Sequence, residues 1–231
     1  MHRHDTGTWP ERVVVLTFDD GFANFYDEAL PVLSQYGFTA TVFLISGHMG
    51  GRNDWGPRPE GLGILPILSW RQAREVAGVG IELGSHTQTH RDLRRCSALE
   101  AEHEMTFSRA EIEDHLGLEV QSFAYPYGEI DQFSRELAAR SFRASCTTEL
   151  RRANGDALNL LPRLDMHYLR SRAKFARLLE GQLDQYLTFR RWGRKVRRVF
   201  ISDSGKGQSS AEIRQFGVVS PTVLGRQKDN L

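Results

Sequence analysis

Three short runs of residues could do chemistry together. The first is Thr17-Phe18-Asp19-Asp20-Gly21, with two adjacent carboxylates. Neighbours on a regular strand point to opposite faces, so Asp19 and Asp20 converge on one pocket only if the strand ends there. Gly21 permits the turn that would end it. The plainer reading has Asp19 capping the next helix and Asp20 exposed. The second run is Gly84-Ser85-His86-Thr87-Gln88-Thr89-His90. Two imidazoles four apart bind one cation if the chain turns between them, and imidazole is a common zinc ligand. Alone, the spacing equally describes surface histidines. Joined to the aspartate pair, it makes a two-His, one-Asp set that leaves positions for water and substrate. The third run is Phe123-Ala124-Tyr125-Pro126-Tyr127-Gly128. Pro126 fixes the backbone and Gly128 releases it, so the turn is suited to presenting a backbone N–H inward, or is a simple aromatic turn.

Such residues need strand ends to stand on. Val13, Val14, Val15 and Leu16 predict a strand over 12–18, buried on both faces. A helix is expected over 24–36, with Phe25, Ala29, Leu30 and Leu33 in phase, Pro31 bending or splitting it, and Gly37 as its stop. Strands are expected over 39–45, 80–85, 120–124 and 142–147. Ser69 with Gln72, and Ser97 with Glu100, read as capping boxes opening helices that end near Gly78 and Leu116. Further helices are expected over 131–139 and 171–186. The stretch 47–66 reads as a long loop of the kind that often carries function. Strands alternating with helices predict an α/β fold of parallel units, with the chemistry just after each strand.

The three runs, in this order and at these intervals, resemble the polysaccharide deacetylase family, also called the NodB-homology or carbohydrate esterase type. The resemblance covers roughly residues 12–170. The spelling of the third run is most similar to the exopolysaccharide deacetylase branch. The resemblance implies a distorted (β/α) barrel with fewer than eight regular units. It implies that Asp20, His86 and His90 hold a divalent metal, usually zinc, that Asp19 is the general base, and that the backbone N–H of Tyr127 helps form an oxyanion hole. Many members carry an arginine in the third run that orients the base. Ala124 occupies that place, and Arg163 is the candidate replacement. The family's Leu-x-His general acid is not evident, and His167 is the nearest late candidate. His48, His103 and His115 read as structural or surface residues, with His48 placed to line a groove. Trp55 and Trp70 would either stack on sugar rings or pack in the core.

The 231 residues are 40% hydrophobic and carry 30 Lys/Arg against 29 Asp/Glu. A core is affordable, and a wholly basic nucleic-acid binder is not indicated, so no specific nucleic acid is expected as a partner. Two cysteines exclude a disulfide-rich scaffold. Charge is uneven: residues 190–231 hold ten Lys/Arg and three Asp/Glu, including Arg190, Arg191, Arg194 and Lys195. The chain therefore divides into a catalytic domain over 1–189 and a basic C-terminal tail over 190–231, partly disordered by composition. Val199-Phe200-Ile201 would alternatively form a last strand. No apolar run approaches the roughly 18 residues of a membrane span. Met1 to Arg12 has no apolar signal core, so the expected location is cytoplasmic as the chain stands, or exported if a leader preceded it. The function expected is metal-dependent removal of N-acetyl groups from an amino-sugar glycan. The alternatives are a catalytically impaired glycan-binding relative, or a module whose basic tail binds anionic partners.

Overall fold

The computed structural model describes residues 13–56, 63–154 and 156–203. The expectations for Met1–Arg12 and for 204–231 lie outside these. Five short strands form one parallel sheet in the order of the chain: β1 (Thr17–Phe18), β2 (Thr41–Leu44), β3 (Glu82–Ser85), β4 (Ser122–Ala124) and β5 (Ala144–Cys146). Sequential order with helical crossovers makes this half of a barrel, the distorted (β/α) form expected. Because all strands are parallel, their C-terminal ends share one edge, and every loop that follows a strand is delivered there. Close packing at that edge needs glycine at position 84: a Cβ there would come within 2.6 Å of both Phe43 and Ser122.

The helices are α1 (Leu30–Gln35), α2 (Trp70–Gly78), α3 (Ala98–Leu116), α4 (Gln132–Ser141), α5 (Arg172–Leu179) and α6 (Asp184–Asp203). Both predicted capping boxes form, Ser69 with Gln72 and Ser97 with Glu100. α3 ends on Gly117 in the left-handed conformation. Its buried residues Ala101, Met105, Ser108 and Ile112 recur at helical spacing and join Val42, Leu44, Leu83 and Phe123 of the sheet in one core. No helix among the described residues is long and apolar enough to cross a membrane.

Two expectations need correction, the first strand and the helix over 171–186, and two others are refined. The first strand is shorter than predicted: Val13, Val14 and Val15 are exposed, and pairing begins where the Leu16 carbonyl accepts the Thr41 N–H. β1 is the edge of the sheet, with β2 as its paired neighbour, so no partner buries those valines on two faces. The helix over 24–36 is split, as Pro31 led one to expect, into a π-helical turn (Phe25–Ala29) and α1. Pro31 has no N–H to give to the preceding turn and instead starts the second piece. The described part of the stretch 47–66 is the loop expected. It holds a 3₁₀ turn (Ser46–His48), and Arg52 bridges Pro66 antiparallel. The helix over 171–186 breaks at Gly181, whose φ is +83°, giving α5 and α6. Leu183 and Leu187 close a second small core with Leu150 and Leu169. α6 continues through position 190, where the composition changes, and Val199, Phe200 and Ile201 lie within it rather than in a strand.

Candidate metal centre and active site

Asp20, His86 and His90 arrive from the ends of β1 and β3 and are all buried. Asp20 Oδ1 stands 3.4 Å from Nε2 of His86 and 3.4 Å from Nε2 of His90. That oxygen accepts no hydrogen bond. His86 Nδ1 lies 2.7 Å from the Ala124 carbonyl, which accepts only, so this nitrogen carries the proton and Nε2 presents a lone pair. A carboxylate oxygen and imidazole lone pairs facing one another, buried, repel unless a positive charge lies between them. The donor set therefore fits a divalent cation. The two rings titrate differently without a cation between them. Burial holds His90 down to about 3, neutral and ready to ligate. Burial also opposes a charge on His86, but the neighbouring Asp20 and Asp19 carboxylates overcome it and raise its pKa.

The backbone is strained at this edge. Among the described residues, the non-glycine residues with positive φ are Asp20 (71°), Thr87 (66°), His90 (59°) and Tyr127 (60°), and all four belong to the loops that make the site. The left-handed bend at Asp20 lets it depart from the direction of Asp19. The bends at Thr87 and His90 fold the 86–90 loop so that both rings face one way. Thr87 Oγ1 accepts the His90 N–H at 3.0 Å. Glu104, buried on α3, accepts the Thr89 N–H at 2.8 Å, and its carbonyl accepts the Gln88 N–H. The supporting roles of Thr87 and Glu104 do not follow from the motif spacing. Glu104 had a signal: it is a carboxylate in phase with the apolar face Ala101, Met105, Ser108.

Asp19 is beside the metal group but is held by a different partner. Arg163 donates to both of its oxygens, Nη1 to Oδ1 at 2.6 Å and Nη2 to Oδ2 at 2.8 Å. The guanidinium is fixed in turn by the Thr147 carbonyl and Thr17 Oγ1, at 3.0 and 3.2 Å. Arg163 reaches the site because Leu161 bridges Cys146 and lays the 161–163 segment alongside β5. Burial favours a protonated Asp19, but the Arg163 charge outweighs it and lowers the pKa to about 2. Arg163 thus stands where the residue at Ala124 does not reach; Ala124 contributes its carbonyl, to His86.

Tyr127 belongs to a 3₁₀ turn (Pro126–Gly128) after β4, and its ring packs edge-on to His90 at 4.6 Å. Trp55 packs against His90 from the long loop at 5.4 Å and against His48 at 5.0 Å. His48 also lies 3.4 Å from Asp54. Trp70 is stacked on His115, and His103 on Phe107, away from the metal group. His167 sits in a 3₁₀ turn (Met166–Leu169), where its ring packs against Tyr168 and its N–H is donated to Asp165.

The family model for polysaccharide deacetylases matches residues 6–141. The chain belongs to that family. It is 28% identical over 171 residues to the poly-beta-1,6-N-acetyl-D-glucosamine N-deacetylase of Staphylococcus epidermidis, covering 69% of this chain and 56% of that protein. It is 30% identical over 134 residues to the protein of that name from Staphylococcus aureus (strain MSSA476), covering 53% of this chain and 42% of that one. The chain thus spans about half the length of these curated relatives. The Streptococcus pyogenes deacetylase PplD, solved in complex with acetate, superposes with a TM-score of 0.59 at 29% identity, over 70% of this chain and 68% of that one.

Proposed function

We propose that this protein is a metal-dependent hydrolase that removes N-acetyl groups from an amino-sugar glycan, with poly-N-acetylglucosamine as the substrate class and zinc as the metal. One observation carries the reading: buried Asp20 Oδ1, without a hydrogen bond, faces Nε2 of two histidines at 3.4 Å beside a separately held carboxylate. The names of the relatives support the glycan.

Asp20, His86 and His90 would hold the cation. When bound, it supplies a lowered water pKa and a positive charge for a developing oxyanion. Asp19, ionised because of Arg163, accepts a proton from the attacking water. The oxygen adds to the acetamide carbonyl carbon, and the Tyr127 N–H is the backbone donor assigned to the oxyanion. The C–N bond then breaks, leaving acetate and an amine that needs a proton. Asp19, protonated in the first step, stands beside the site to return that proton to the leaving amine. This cycle returns Asp19 to its starting state without His167.

The test is acetate release from N-acetylglucosamine oligomers by the protein as purified, after chelation, and after zinc is returned. Loss on chelation and recovery with zinc is expected. Zinc bound without any acetate release would overturn the reading and favour the impaired glycan-binding relative.

A further inference from the structure

Next to the metal centre, on the same edge of the sheet, lies a cavity of about 330 Å³. Gly128, one residue beyond Tyr127, forms one wall, and Thr147, whose carbonyl fixes Arg163, forms another. The contact between the turn and the opposite wall is direct: a Cβ at Gly128 would lie 2.0 Å from Thr148 Oγ1. All the lining residues except Gly128 and Ile130 come from beyond residue 141, where the family match ends. They are brought by the segment after β5 and, through Arg191, by α6.

The lining has two characters. Ile130, Leu150 and Leu160 make an apolar floor, and Thr148, Glu149 and Arg191 belong to a polar rim. Arg191 lies 3.5 Å from Glu149 across the opening. A pyranose has the matching form, with C–H faces and a belt of hydroxyls. Each hydroxyl both donates and accepts, so one can bridge a carboxylate and a guanidinium at once. A free anion would meet Glu149 and Asp156, and a free cation would meet Arg151 and Arg191.

We propose that this cavity is a second glycan subsite, built by the C-terminal segment of this chain, which takes a sugar neighbouring the one being deacetylated. The proposal rests on the N-deacetylase reading for its choice of ligand. It makes the enzyme chain-binding: affinity comes from the segment between β5 and α6, and the chemistry comes from the family's own loops.

The experiment uses β-1,6- and β-1,4-linked N-acetylglucosamine pentamers and the monomer as probes. Binding is measured by calorimetry on zinc-loaded full-length protein carrying Asp19→Asn, so that the ligand survives. Ala157→Trp, at an exposed lining position, fills the cavity from outside, and Arg191→Ala opens the rim. Zinc content and thermal unfolding establish that each variant is folded. The expected result is a pentamer affinity above that of the monomer which falls about tenfold in each variant, equivalent to ~1.4 kcal/mol. Pentamer affinity unchanged in both folded variants, or pentamer and monomer bound alike by the parent, would overturn the proposal. Acetate release by the unmodified protein is scored separately. Its absence beside a cavity-dependent pentamer affinity would sink the deacetylase reading and leave the subsite standing.

Discussion

Asp19 and Asp20 are chemically identical neighbours, and the structure gives them opposite surroundings. Asp20 is buried with an orphaned oxygen facing two imidazoles, and Asp19 is clasped by a guanidinium. Replacing each with asparagine should therefore separate two functions. Asp19→Asn should retain zinc and lose roughly 10²–10⁴-fold in acetate release, the usual contribution of a proton acceptor. Asp20→Asn should weaken zinc by more than ~100-fold, since even groups that only support a ligand cost about 10–100-fold. Zinc analysis alongside kcat distinguishes them, and equal zinc loss in both would show that the division is wrong. Arg163→Lys keeps the charge and forfeits the two-pronged grip. It should lower kcat by about 10–100-fold with zinc content unchanged, a loss taken from the same range for supporting groups. The motif spacing made the metal group legible from the chain alone. The position of Arg163 was legible only as a candidate, because no local rule says which strand edge residues 161–163 will lie along. His167 sits in the turn over 166–169 with its ring on Tyr168, a placement that no local rule of the sequence specifies.

At the scale of elements, α3 does two jobs. Its apolar face closes the core, and Glu104 holds the loop that carries both histidines. Glu104→Ala should cost zinc affinity about tenfold through loosened loop geometry, with Glu104→Gln between the two. The start of α3 offers a pH test. Ser97 and Arg91 hydrogen bonds pull the Glu100 carboxyl down to about 2, below the ~4.3 of an unfolded chain. A lowered folded-state pKa stabilises above the unfolded value and ceases to as pH falls through the folded one. The gap in Tm between the parent and Glu100→Ala should be constant from neutral pH to about 5, then shrink between roughly 4.5 and 2. A gap that persists at pH 2 would mean the cap does not act through its charge. Capping boxes were readable because they obey a local three-residue rule. The extent of β1 was not, because Val13–Val15 have strong strand character and fail only for want of neighbours on a sheet edge.

For the molecule as a whole, the residues proposed for catalysis precede position 190, while α6 runs across it. Leu183 and Leu187, which seat α6 on Leu150 and Leu169, also precede it. Deleting 190–231 should leave zinc stoichiometry intact and remove Arg191 from the rim of the second cavity. The expected signature is unchanged metal content with weakened binding of long oligomers. A truncated protein that no longer unfolds cooperatively would instead make the rest of α6 part of the fold. Composition marked this region as different but said nothing of a helix bridging the change, since a run of like charge has no periodicity to read.

The four left-handed residues around the metal group set a ceiling on how robust this protein can become while it still works. Each non-glycine bend costs on the order of 1–3 kcal/mol, and Asp20, Thr87, His90 and Tyr127 carry that cost in adjoining loops. Two of them, Asp20 and His90, belong to the proposed ligand set, so glycine, which would relax them, would forfeit a donor to the cation. Selection for heat resistance would have to act on the helices and the outer loops, far from the bends. The same loops would be the first to open when the cation is withdrawn, and a protease offered the apo protein should cut there before it cuts elsewhere.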